Sequence, residues 1–128
     1  MRDRYKIINE AGVYFLTSTV VKWLPVFTYK VYFEIIIRSF KYCIDHHHMK
    51  LYAFVILDNH FHLIASAAND NLSKTLASIR KFTAHEIIEQ LQTDNRDWLL
   101  NQLTYYKKQF KKNSQYQVWQ EGMHPVLM

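Results

Sequence analysis

One cysteine, two prolines and two glycines are all that this chain of 128 residues holds of those three types. A lone thiol, Cys43, closes no intrachain disulfide and builds no cysteine zinc site. It falls within an apolar helical pattern, which reads as a buried, inert thiol. So few chain breakers exclude collagen-like and low-complexity chains and imply long regular elements with few sharp turns. Long apolar runs are lacking as well. The stretch from Val13 to Val21 carries Thr17, Ser18 and Thr19 and is far short of a membrane span. Met1 to Lys6 has no apolar core of the kind a signal peptide needs. The expectation is a soluble, cytoplasmic protein of a reducing compartment, with no membrane partner.

What is present fits one domain over residues 1–128, with 49% apolar and 21% charged residues. That excludes a disordered tail, which has too little apolar surface to fold. Sixteen Lys and Arg against eleven Asp and Glu give a net charge of +5. A basic surplus of this size suits a polyanionic partner, although many basic proteins merely stay soluble by it.

Val13 to Val21 is β-branched and aromatic and reads as a strand, which Pro25 brings to an end. From Tyr29 to about His47, Phe33, Ile36, Ile37, Phe40 and Ile44 recur at helical spacing, with Thr28 placed as N-cap. Leu51 to Leu57 is nearly all apolar, the pattern of a central strand covered on both faces. Asp58-Asn59 forms a turn, and Phe61 to Ala65 returns as the hairpin partner. Asn69-Asp70-Asn71 can cap a second helix with Leu72, Leu76, Ile79, Ile87 and Leu91 on one side. A third helix is expected from Asp97 to about Phe110, and a short strand from Tyr116 to Gln120. This order predicts an α+β fold: a ferredoxin-like or RRM-like split β-α-β arrangement, its antiparallel sheet covered by helices on one face.

The sharpest local feature is Asn59-His60-Phe61-His62-Leu63. Positions two apart on a strand share a face, so His60 and His62 project together while Phe61 enters the core. Two imidazoles side by side can hold a divalent ion and leave its other positions to phosphate oxygens and water. The plainer alternative is two surface histidines on a hairpin. His46-His47-His48 sits where the first helix must end and reads as a polar loop. His85, beside Glu86, reads as a solvated or partly packed helix residue. Two basic stretches are candidates for phosphate contact. One is Lys74, Arg80 and Lys81 on the second helix; the other interleaves Lys107, Lys108, Lys111 and Lys112 with Tyr105, Tyr106 and Phe110. The second stretch can equally be a solvated helix end with its aromatics turned to the core.

From about Tyr5 to Met128 the chain resembles the REP-associated tyrosine transposases, single-tyrosine HUH enzymes, in their Bacteroidetes-type form. The segments carrying the resemblance are Gly12 to Thr17, Tyr52 to Ile64, Ile79 to Ala84 and Val118-Trp119-Gln120. The Asn-His-hydrophobic-His-Leu hairpin is the most specific of them. Asp58 stands where relatives often have Pro or Thr. The resemblance implies a metal-dependent nicking and joining enzyme for single-stranded or hairpin DNA, acting through a 5′-phosphotyrosine in DNA transposition. By it, His60 and His62 take the metal pair, Mg²⁺ or Mn²⁺, and the protein is a monomer or homodimer, nucleoid-associated when bound to DNA. The nucleophile does not map. Relatives carry it on a helix some tens of residues beyond Trp-Gln, whereas Glu121 to Met128 contain no tyrosine and Tyr105, Tyr106 and Tyr116 precede the motif. The expectation is a transposase domain lacking its C-terminal tyrosine helix, with no catalytic residue of its own and no activity as it stands. Alternatives are a non-catalytic nucleic-acid-binding module and a decayed mobile-element remnant.

Overall fold

Burial alternates with period two in two segments, and these form the middle of the sheet. In a computed structural model describing residue 7 and residues 9–67, 71–107 and 114–128, β1 (Tyr14–Thr19) and β3 (His60–Ser66) lie side by side, antiparallel. Their inward side chains, Tyr14, Leu16, Phe61, Leu63 and Ala65, are all buried. Between them in sequence come α1 (Lys30–Asp45) and β2 (Lys50–Ile56), the latter pairing with the outer edge of β3. A two-residue strand, β4 (Val126–Leu127), pairs with the other edge of β1. The order β2-β3-β1-β4 in one antiparallel sheet is the expected split β-α-β arrangement. Helices α2 (Leu72–Thr93) and α3 (Asp97–Tyr105) follow β3. Among the described residues, no helix is long and apolar enough to cross a membrane.

The core lies on one face of this sheet. Phe61 meets Phe40 of α1 edge-on at 5.4 Å and Trp119 edge-on at 5.4 Å. Trp119 also stacks on Phe27 at 5.9 Å, and its indole N–H donates to Thr83 Oγ1 of α2 at 3.2 Å. Tyr32 donates to Asp94 at 2.8 Å, tying the start of α1 to the end of α2. Burial and this carboxylate push the Tyr32 phenol above its ordinary pKa. Leu72, Leu76, Ile79, Ile87 and Leu91 form the buried stripe of α2 as expected, and the Asn71 side chain caps its first turn by accepting from Lys74 N–H.

Several expectations are corrected. Leu51 to Leu57 is not a central strand: β2 is an edge, with Tyr52, Phe54, Val55 and Leu57 exposed. Splitting β1 from β2 by β3 sends β2 outward whatever its hydrophobicity. Tyr29, not Thr28, is the N-cap of α1, because Phe27 N–H bonds the Asp58 carbonyl and keeps the chain extended longer. The buried stripe of α1 is Tyr32, Ile35, Ile36, Ser39, Phe40 and Cys43, leaving Ile37 and Ile44 exposed. Apolar residues on nearly every face of that helix fit more than one rotation. Helix α1 stops at Asp45, where His47 adopts φ 60°. The segment from Tyr116 to Gln120 makes only an isolated bridge, Trp119 to Val20. The ladder then continues irregularly through Thr17 N–H to Met123 O before β4 closes it, a path bent by Gly122 at φ 75° and His124 at φ 44°. Helix α3 ends at Tyr105, and the expected extension to Phe110 runs into residues outside those described.

Trp119 joins the sheet edge, α2 and the loop before α1, so its removal opens the core rather than one contact. Trp119→Ala should cost about 3–5 kcal/mol in urea unfolding, with Trp119→Phe markedly milder.

Candidate metal centre

The face of the sheet opposite the core carries His60 and His62. Strand alternation and the burial of Phe61, Leu63 and Ala65 send both imidazoles there, with ring centroids 4.8 Å apart. Register brings Thr17 of β1 directly opposite His62 and Thr19 opposite His60. The Phe15 ring stacks on His62 at 5.2 Å and 23°, fixing the plane of that imidazole.

Each ring is held by its Nδ1. His60 Nδ1 lies 2.7 Å from Asn59 Oδ1, and the Asn59 amide is oriented by its own Nδ2 donating to the Trp23 carbonyl at 3.3 Å. An amide oxygen only accepts, so His60 carries its proton on Nδ1 and presents Nε2 as a free lone pair. His62 Nδ1 lies 2.8 Å from Thr17 Oγ1, a hydroxyl able to accept the same proton. Contacts through Nδ1 of this kind orient metal-binding histidines, and with Nδ1 protonated each ring offers Nε2 as the ligand. The Trp23 carbonyl owes its position to a 3-10 turn, Val21–Trp23, in which Lys22 and Trp23 both take left-handed φ values of 54° and 53°. Two such residues in succession are strained, and the strain sits beside the candidate site.

Desolvation, and secondly the nearby His60, holds His62 below its ordinary pKa. A ring that stays neutral is the ligating form.

The basic residues of α2, candidates for phosphate contact, lie on the other side of the sheet from the histidines. Helix α2 packs on the core face, through Thr83 and Trp119, opposite the imidazole pair. Lys74 and Lys81 are exposed on it. Arg80 is half-buried and donates to the Gln120 carbonyl, strapping α2 to the sheet edge. Burial lowers its pKa, its charge being poorly solvated there. Lys107, just past α3, donates to the Ser114 carbonyl at 3.0 Å, whereas Lys108, Lys111 and Lys112 lie outside the described residues. His85 is exposed as expected, bonding Glu89 at 2.9 Å. With Glu86 it forms the one cluster of three potential ligands among the described residues, on α2 rather than on the sheet. Sequence reasoning missed Asn59, Thr17 and Phe15 as parts of the site. Asn59 had a signal, its place immediately before His60. The β1 residues had none, since cross-strand register is a tertiary property.

Two measurements test this geometry. Nitrogen-15 spectra of the metal-free protein should show His60 in the Nδ1–H tautomer, and Asn59→Ala should shift it toward the Nε2–H form. Because the unfolded His62 ring binds its proton near pH 6.5 and the folded ring only at lower pH, folding stability should fall as pH drops below about 6.5. That slope should shrink in His62→Asn by denaturant unfolding across pH 5 to 7.

No protein-family model matches this chain, and no curated protein matches it. Solved structures do. A REP-associated tyrosine transposase bound to a REP hairpin superposes with a TM-score of 0.64 over 100% of this chain, at 15% identity. This chain spans 62% of that protein's length. A protein from Deinococcus radiodurans R1 assigned as a transposase gives a TM-score of 0.64 over 100% of this chain and 85% of its own, at 10% identity. At such identities the shared property is the fold.

Proposed function

We propose that this chain is a transposase-like DNA-binding domain that holds a divalent metal on His60 and His62 and uses the open sheet face to position a DNA backbone. The observation that carries the reading is the pair of imidazoles 4.8 Å apart on one sheet face, each held through its Nδ1 by Asn59 or Thr17, on a fold shared with a transposase bound to a REP hairpin. The donor set fits a metal that accepts imidazole while keeping positions open for oxygen, which favours Mn²⁺ over Mg²⁺. When bound, such an ion would polarise a phosphate and stabilise the charge that develops on it. The protein's own part is orientation. Asn59 and Thr17 aim the rings, Phe15 fixes the plane of His62, and the sheet keeps the pair rigid.

DNA is the partner this reading assigns, single-stranded or hairpin, with lysines supplying the neutralising charge. Lys74 and Lys81 are the exposed cations on α2, across the sheet from the histidines, and Lys107, Lys108, Lys111 and Lys112 follow further along the sequence. Arg80 has a different role here, holding helix to sheet through Gln120. The cytoplasmic, nucleoid-associated location follows from this assignment. Tyr105 and Tyr106 belong to the end of α3, where the Lys22 ammonium sits 5.5 Å from the Tyr106 ring centroid. In sequence both precede the Trp119-Gln120 motif, which the nucleophile follows in the family this chain resembles.

Hairpin DNA should therefore bind more tightly than plain duplex, and affinity should fall steeply between 50 and 200 mM salt through counterion release. Calorimetric Mn²⁺ binding should be present in the parent chain and lost in His60→Ala. Incubated with Mn²⁺ and a labelled hairpin, the 128-residue chain should give no covalent protein–DNA band on a denaturing gel. A slow band would show that the chain carries its own nucleophile, with Tyr105, Tyr106 and Tyr116 the candidates. DNA binding without any Mn²⁺ binding would instead favour a non-catalytic nucleic-acid-binding module.

A further inference from the structure

We propose that the groove between α1 and α2, on the helical side of the molecule, takes one unpaired nucleotide of a DNA strand. It deepens the DNA-binding reading and rests on it, but involves none of the residues around the histidine pair. The groove encloses about 740 Å³, ample for a nucleotide. Tyr42 of α1 and Phe82 of α2 line it, and both rings are exposed, at 59% and 52%. Ile79 and Cys43, both buried, supply apolar surface within it. Lys74 and Ser78 add a cation and a hydroxyl, and no carboxylate lines the groove among the described residues.

Aromatic surface beside a cation, without a carboxylate, is the chemistry of a base and its phosphate. An apolar peptide would leave Lys74 and the hydroxyls unused. The stacking is partly assembled already. The His46 ring lies 4.0 Å from that of Tyr42 at 25°, held by its Nδ1–H donating to the Tyr42 carbonyl at 2.9 Å. His48, which also lines the groove, lies nearly parallel to His46, at 7° and 6.3 Å. Two of the three histidines that read in sequence as a polar loop, His46 and His48, thus continue from the Tyr42 ring as a series of near-parallel rings. At the α2 end the Arg38 guanidinium and Glu86 carboxylate, 3.9 Å apart, neutralise one another one turn beyond Phe82. Lys74 therefore sets the sign of the groove.

Binding of two hairpins tests the assignment, one blunt and one with a short single-stranded flank carrying 2-aminopurine. Anisotropy reports affinity, and 2-aminopurine emission reports stacking. The flanked hairpin should bind more tightly, with its emission quenched. Tyr42→Ala and Phe82→Ala should each weaken it by about tenfold and restore emission, while leaving the blunt hairpin unchanged. Both side chains are exposed, and circular dichroism checks that the variants fold. Variants that match the parent chain on the flanked hairpin would overturn the groove assignment alone. A parent chain that binds neither hairpin would overturn the DNA-binding reading and this assignment with it. Competition by free dAMP at comparable concentration would show a mononucleotide site and overturn the commitment to a strand.

Discussion

Phe61 is packed edge-on between Phe40 and Trp119, and a strand can send only alternate side chains to one face. With Phe61 committed to the core, Leu63 and Ala65 must follow it, and His60 and His62 must leave by the other side. A one-residue slip of β3 would bury both imidazoles and expose three apolar side chains, so the register is strongly held. The histidine pair is thus a consequence of core packing before it is anything chemical. Trp119 completes the same cluster from the sheet edge, which gives the Trp-Gln segment a structural duty independent of DNA.

Holding the rings is a separate task from aiming them. Core packing delivers two imidazoles to one face, and their Nδ1 contacts with Asn59 and Thr17 orient each ring. The first of these contacts depends on a turn with two left-handed residues, Lys22 and Trp23, whose strain is carried by the surrounding hydrogen bonds. Local strain, a side-chain amide and a histidine tautomer form one chain of cause. Helices occupy the core face and bring their cations to that side of the molecule. The result is a two-sided layout, with a candidate metal pair on the bare sheet and an aromatic, cationic groove between α1 and α2.

The β-branched and aromatic content of β1, the shared face of His60 and His62 on β3, the capped stripe of α2 and the order of elements were legible because they depend on composition and periodicity within one segment. The failures share a cause. The apolar run of β2 looks central in isolation, yet topology makes it an edge. The α1 pattern permits several rotations, and only packing against α2 and the sheet selects Tyr32, Ile35, Ile36 and Phe40. The half-burial of Arg80 and its bond to the Gln120 carbonyl were likewise invisible in sequence, because they depend on how α2 packs against the sheet edge.

By itself, then, the sequence determined the element order, the split β-α-β class and the shared face of His60 and His62, since a strand's period of two follows from backbone geometry alone. Tertiary structure decided what surrounds that pair: Thr17 and Phe15 reach it only through the register of β1 on β3, and Trp23 only through a left-handed turn. It also decided that the α2 cations lie across the sheet from the histidines, because burial of Ile79, Thr83 and Trp119 places that helix on the core face.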